Sequence, residues 1–153
     1  MMRLRSLCWI ASVAAVVLLL PGCGDTGAAD DAEAEVLSTV DGFGAEVNAY
    51  DTEAIREYVT DDFTWQSTGP VVNLDEYLTY VDAHYKRLGF HVEVTGDPVV
   101  SLDGDEYVVV QQDAVKATGL NTVGTSTFRL VEVDGEWLIR EVRWVEEAAG
   151  STG

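Results

Sequence analysis

Few side chains in this sequence have the types and spacing that chemistry needs. Tyr80 and His84 stand four residues apart, which puts two side chains on one face of a helix, and an imidazole titrates near neutrality, where it serves as acid or base. On a helix the pair would project opposite Leu78 and Leu88, either toward a cavity or into solvent as ordinary half-exposed residues. The second histidine, His91, follows seven residues later, and with no cysteine in the body of the chain the two make no zinc set. Asp103-Gly104-Asp105-Glu106 has the acidic rhythm of a calcium loop but falls far short of its ligand pattern and reads as a hairpin turn. Polar residues also break apolar alternation at Gln111 and Asp113, at Ser126 beside Phe128, and at Arg140 ahead of Val142 and Trp144. Such groups need partners if buried, and Asp113 and Arg140, opposite in charge, can supply one another. No phosphate-binding glycine loop, Gly-x-Ser-x-Gly elbow or Cys/His pair is present, and nothing calls for a cofactor.

The elements that must hold these residues follow from periodicity. Val36, Val40, Phe43, Val47 and Tyr50 recur at spacings of four and three, one face of a helix. Asp51-Thr52 caps a short second helix carrying Ile55, Tyr58 and Val59, and TDDFTWQSTGP reads as a strand ended by Gly69-Pro70. Asn73 caps a third helix lined by Leu74, Leu78, Val81, Tyr85 and Leu88, and Gly89 stops it. Beyond Gly89 the period changes to two through five strand-like runs, with Asp103-Gly104 and Asp134-Gly135 marking tight turns. Three helices around one strand, then an antiparallel meander, give an α+β class with a strongly curved antiparallel sheet packed on N-terminal helices.

Ahead of this lies a different kind of chain. Arg3 and Arg5 precede a run that is apolar from Leu7 to Leu20 apart from Ser12, too short to span a bilayer and broken by Pro21-Gly22. That is the layout of a secretory signal over residues 1–22. Leu20-Pro21-Gly22-Cys23 resembles the lipobox of bacterial lipoproteins, although Pro21 stands where that motif has a small residue. The resemblance implies cleavage before Cys23, lipid on its thiol, and an extracytoplasmic protein anchored to the bacterial cell membrane. Cys8 would leave with the signal, so no intrachain disulfide remains. Residues 23–34, with no aromatic or branched aliphatic side chain, are expected to be a flexible acidic tether, 35–147 one domain, and 148–153 a disordered tail.

Charge narrows the partners. The whole chain carries 27 acidic residues against nine Lys and Arg, for a net −18, and all the acidic ones follow Cys23. So acidic a body has no footprint for phosphate backbones, which excludes nucleic acid, and it does not lie flat on anionic lipid without an anchor.

VNAYDTEAIREYVTDDFTW, with its first helix, Asp-led second helix and Asp-Asp-Phe strand entry, and the closing FRLVEVDGEWLI resemble the nuclear transport factor 2-like superfamily. This is the cone-shaped, cystatin-like fold that includes SnoaL-like cyclases, ketosteroid isomerase and scytalone dehydratase. The resemblance spans roughly residues 35 to 146 and is specific for fold rather than activity. Laid along the isomerase pattern, Phe43 stands at the oxyanion-hole tyrosine, Ser67 at the general base and Ser126 at the oxyanion-hole acid, so that chemistry is missing and no catalytic residue is assigned. The same register turns Trp65, Gln111, Asp113, Ser126, Phe128, Arg140 and Trp144 into the cone, with Tyr80 and His84 on the third helix. The expected role is a non-catalytic module that binds a small apolar or anionic ligand, or another protein. The alternative is a cavity enzyme of isomerase, dehydratase or cyclase type using His84 and Asp113. Relatives that dimerise through the outer sheet face imply a homodimer through strands bearing Val108, Val110, Arg129 and Val131. Cys23→Ser is expected to abolish palmitate labelling and release the protein from membranes or leave it unprocessed. Membrane fractionation at the mature mass would overturn the lipid reading.

Overall fold

The computed structural model describes residues 26–147; the expected signal, Cys23 and the expected tail lie outside the described residues. Helix α1, Thr26–Ala49, buries Val36, Val40, Phe43 and Val47, the stripe that its sequence spacing predicts. It starts earlier than expected, so residues 26–34 are helical rather than tether. Ala28, Ala29, Ala32 and Ala34 explain this, because alanine is helical by propensity and needs no buried face. The helix ends in a Schellman arrangement: Asp51 N–H donates to the Glu46 carbonyl at 3.1 Å and Tyr50 N–H to that of Val47 at 3.2 Å. Tyr50 therefore takes the left-handed position, at φ 58°, where glycine is usual, and leaves the helical stripe. Its hydroxyl donates to the Phe90 carbonyl at 2.8 Å, a long-range bond that offsets the strain.

Asp51 caps α2, Thr52–Ile55, through bonds from the Glu53 and Ala54 amides, and a tight turn, Arg56–Tyr58, leads into β1, Val59–Gln66. A strand absent from the sequence reading, β2, Val72–Asn73, pairs antiparallel with β1. Asn73 then closes a reciprocal capping box with Glu76 at the start of α3, Leu74–Tyr80. The helix continues through a π-helical turn, Val81–Tyr85, into α4, Lys86–Leu88, and stops at Gly89, φ 62°. Val81 and Tyr85 stay buried, but the wider turn shifts the phase and leaves Leu88 exposed, contrary to the regular 3.6 pattern.

The remaining strands are β3, His91–Val94, β4, Val99–Asp103, β5, Glu106–Ala117, β6, Leu120–Val133, and β7, Glu136–Glu146. Sheet order is β2-β1-β7-β6-β5-β3, and β4 shares the β5 edge with β3. The β5–β6–β7 meander is antiparallel as expected, but β1 runs parallel to β7, so the sheet is mixed. Helices carry the chain from β1 to the far edge, and the meander brings it back in the same direction.

Phe43, Phe63, Tyr77 and Phe128 form the centre where helices meet sheet, with ring centroids 5.5 to 6.3 Å apart. Phe63 is fully enclosed there, and burial of one such ring stabilises by about 1.5–3 kcal/mol. Asn73→Ala removes the capping box and is expected to lower the unfolding free energy by about 1 kcal/mol, read as a lower urea midpoint at unchanged slope. An unshifted midpoint would show that the cap is dispensable.

Candidate functional site

Between the concave face of the sheet and the helices lies a cavity of about 210 Å³. Its wall is mainly apolar: Phe43 and Val47 come from α1, Tyr77 and Tyr85 from α3 and the π turn, Phe90 and Val92 from the entry to β3, and Phe128 and Val142 from the sheet. Leu120, 46% exposed beside the β5–β6 hairpin, reaches its margin. Four polar side chains interrupt the lining, Ser67, Gln111, Asp113 and Ser126.

Asp113 is the most deeply placed charge-bearing group, only 1% exposed. Its Oδ1 accepts from Gln111 Nε2 at 2.9 Å, while its Oδ2, also closed to solvent, makes no hydrogen bond among the described residues. Burial raises the carboxyl above its ordinary 3.8, and the Ser126 hydroxyl and Gln111 amide beside it, which favour the carboxylate, offset this only in part. A second buried polar atom, Nε1 of Trp144, also lacks a partner. Gly124 explains how the indole comes to lie there. A Cβ on Gly124 would stand 2.6 Å from Trp144 Cε2, the ring atom bonded to that nitrogen, so only glycine lets the ring cross β6 at this point. Gly124 is the ladder partner of Asp113 on β5, so the nitrogen edge of the indole lies one strand from the carboxyl. Asp113 on β5 and Trp144 on β7 thus line the cavity from either side of β6, each with one polar atom buried behind the lining surface.

Of the residues expected in the cone, Trp65, Gln111, Asp113, Ser126, Phe128 and Trp144 lie along the cavity wall. Phe43 and Ser67 join Ser126 there, so the three positions that the isomerase resemblance aligns with catalytic groups do meet, carrying no acid or base. Tyr80 and His84 do not reach the lining. Their rings pack 4.6 Å apart on the exposed side of the helix, with Tyr80 6.4 Å from Trp65 across the wall. His91 is exposed on β3, paired with Lys116 in the ladder.

Arg140 also lies elsewhere. Arg129 pairs with Glu141 and Leu130 with Ile139, so Arg140 is the unmatched residue of a β-bulge, which breaks the in–out count along β7. Its guanidinium bonds Glu106, whose carboxylate also takes Arg129 at 3.2 Å, and Arg129 bonds Asp103 at 3.1 Å. The expected Asp113–Arg140 pair is therefore not formed, and among the described residues no basic side chain lines the cavity. Sequence reasoning missed Gly124, although a glycine inside a strand-like run is itself a signal of close approach. It also missed Leu120 and Phe90, whose positions depend on long-range pairing.

Because the folded-state pKa of Asp113 is raised, its neutral form contributes stability that is complete below about 3.8 and is lost as pH rises through the higher folded value. Relative to Asp113→Asn, wild-type stability is thus expected to fall as pH climbs from acid toward neutrality. Urea midpoints of the two proteins measured across that range check this, and a constant gap would contradict it.

Several solved structures share the fold. A variant of Rv3472, a Mycobacterium tuberculosis protein of unknown function, aligns at TM-score 0.72 and 20% identity over 84% of this chain and 79% of its own. An NTF2-like protein with a cystatin-like fold from Novosphingobium aromaticivorans aligns at 0.71 and 15% identity, over 85% and 95%. A proposed dehydratase of the NTF2-like family from Streptomyces avermitilis aligns at 0.68 and 14% identity, over 79% and 99%. At these identities the likeness establishes the nuclear transport factor 2-like, cystatin-like fold alone. No functionally curated protein matches the sequence. No helix among the described residues is long and apolar enough to cross a membrane. Residues 29–145 match the family described as the N-terminal domain of lipoprotein LpqB, and that span, most of the chain and all but the edges of the folded body, makes this protein a member of the LpqB N-terminal domain family.

Proposed function

We propose that this chain is an extracytoplasmic lipoprotein, processed and lipidated at Cys23, whose domain holds a small, largely apolar molecule in the cone without transforming it. The observation that carries the reading is the aromatic cavity, whose largely apolar wall is interrupted by Ser67, Gln111, Asp113 and Ser126. Ligand sites are typically of this kind, apolar with a few converging polar groups. Membership of a lipoprotein family supports the anchor, as does Leu20-Pro21-Gly22 ahead of Cys23.

Against catalysis stand the side chains themselves. Phe43, Ser67 and Ser126 supply neither general acid nor general base, and burial raises the pKa of Tyr77 and Tyr85, keeping both phenols protonated. His84 faces away from the cavity, so the enzyme alternative, a His84–Asp113 pair, would require the π-helical segment to turn inward. Val108, Val110 and Val131, half-buried around Arg129 on the outer face, are the surface on which a homodimer would form. The mature chain purified from its native membrane is expected to release an apolar small molecule on denaturation, detected by untargeted mass spectrometry. Ser126→Phe, which fills the cavity, should release none. Nothing released by the wild-type protein would overturn the ligand reading in favour of a protein-interaction role.

A further inference from the structure

We infer that the cavity takes an uncharged aromatic molecule, a single ring with at most a short side chain, and rejects organic ions. The inference rests on the cavity being a ligand site and names the class it holds. Size sets the first limit. An apolar protein cavity of about 150 Å³ is filled by benzene, so about 210 Å³ has room for one substituted ring and not for three fused ones. Water is a poor occupant, because a buried water needs about two to four polar partners. This wall is mainly apolar, and the amide of Gln111, one of its few polar groups, is already committed to Asp113.

Charge sets the second limit. Among the described residues no basic side chain reaches the lining, and Arg140 is engaged with Glu106 outside it. An anion would therefore lose its hydration beside the Asp113 carboxyl without gaining a cation. An ammonium fares no better: Asp113 is 1% exposed and its Oδ2 is closed to solvent, so the ion would give up its water without touching the carboxylate. The rings offer it only cation–π attraction, which falls well short of the hydration lost. Those rings decide the body of the ligand. Phe43, Trp65, Tyr77, Phe90, Phe128 and Trp144 reach one cavity from both the helices and the sheet. Edge-to-face and offset contacts between rings add to what burial alone gives, and the wall already uses them, Phe43 meeting Phe128 edge-on with centroids 6.3 Å apart at 78°. An arene thus gains more here than an alicyclic molecule of equal hydrophobicity. Leu120, at the margin, continues the apolar surface outward and accommodates a short side chain on the ring.

The test titrates toluene, methylcyclohexane, benzoate, benzylamine and phenanthrene at neutral pH into the ¹⁵N-labelled mature chain, residues 23–153 with Cys23→Ser. Toluene is expected to move resonances along the cavity wall. With each affinity divided by the probe's octanol partition coefficient, it should bind about two- to tenfold tighter than methylcyclohexane. Benzoate and benzylamine should each bind at least about tenfold more weakly than toluene. Phenanthrene, followed by its own fluorescence, should not bind up to its solubility. Ser126→Phe, which fills the cavity, should lose the toluene response, and the wild-type series decides the matter even if that variant does not fold. Were either ion to bind as tightly as toluene, phenanthrene to bind, or the two hydrocarbons to show equal corrected affinities, the assignment would fall while the cavity remained a ligand site. If no probe binds but the protein from native membranes still releases a molecule, the single-ring class falls alone. If nothing is released either, the ligand reading falls and takes this inference with it.

Discussion

Where Arg129 and Leu130 of β6 meet β7, one residue, Arg140, has no opposite number, and the architecture depends on that extra residue. A regular ladder would hold Ile139 and Val142 on opposite faces, since they are three apart; the bulge lets both face the core, where they are almost fully buried. It also bends the central strands, as bulges do by increasing local twist, and a bent sheet is what leaves room between its concave face and α1. The same step turns Arg140 outward into the chain of charges formed by Glu106, Arg129 and Asp103. Core packing, cavity and outer ion pairs are thus consequences of a single irregularity.

This explains which parts of the molecule the sequence reveals. Caps and turns are local chemistry: Asp51, Asn73 and Gly89 need only their neighbours, and each stands where its residue type predicts. The helical stripe of Val36, Val40, Phe43 and Val47 is equally local, being fixed by the pitch of the helix. The bulge, the π turn and the parallel pairing of β1 with β7 are not, because each is stabilised by contacts between residues distant in sequence. Counting by twos along β7 places Trp144 and Val142 correctly but fails at Arg140, on the far side of the bulge. Counting by 3.6 along the third helix places Val81 and loses Leu88 beyond the π turn. Residues 26–34 fail for another reason: absence of apolar bulk argues against burial, but alanine makes a helix without it.

The candidate site shows the same division. Polar residues interrupting an apolar pattern pointed to Gln111, Asp113 and Ser126, and all three do line the cavity. What the pattern lacked was their pairing, because partners depend on register. Asp113 bonds a side chain two residues away on its own strand rather than the distant guanidinium of opposite charge. Desolvation decides the outcome. Two ions brought into this lining would each lose their hydration, whereas one carboxyl beside an amide and a hydroxyl can lower its cost by holding its proton longer.

Position along α1 would set the distance between the cavity and a lipid anchor at Cys23. Phe43 and Val47 line the cavity, and the helix begins at Thr26, three residues after Cys23. At about 1.5 Å per residue the helix separates its first residue from the cavity by roughly 25–30 Å. Its early turns, from Gly27 to Glu35, are almost entirely exposed, with only Ala32 touching the core. A protein fastened at Cys23 would therefore carry its cavity on a helical spacer rather than against the lipid. The acidic surface acts in the same direction, since a net charge of −18 is repelled by anionic headgroups. Both effects would favour approach to the cavity from the aqueous side, where the rings of Trp65 and Phe128 meet it, over approach from the lipid.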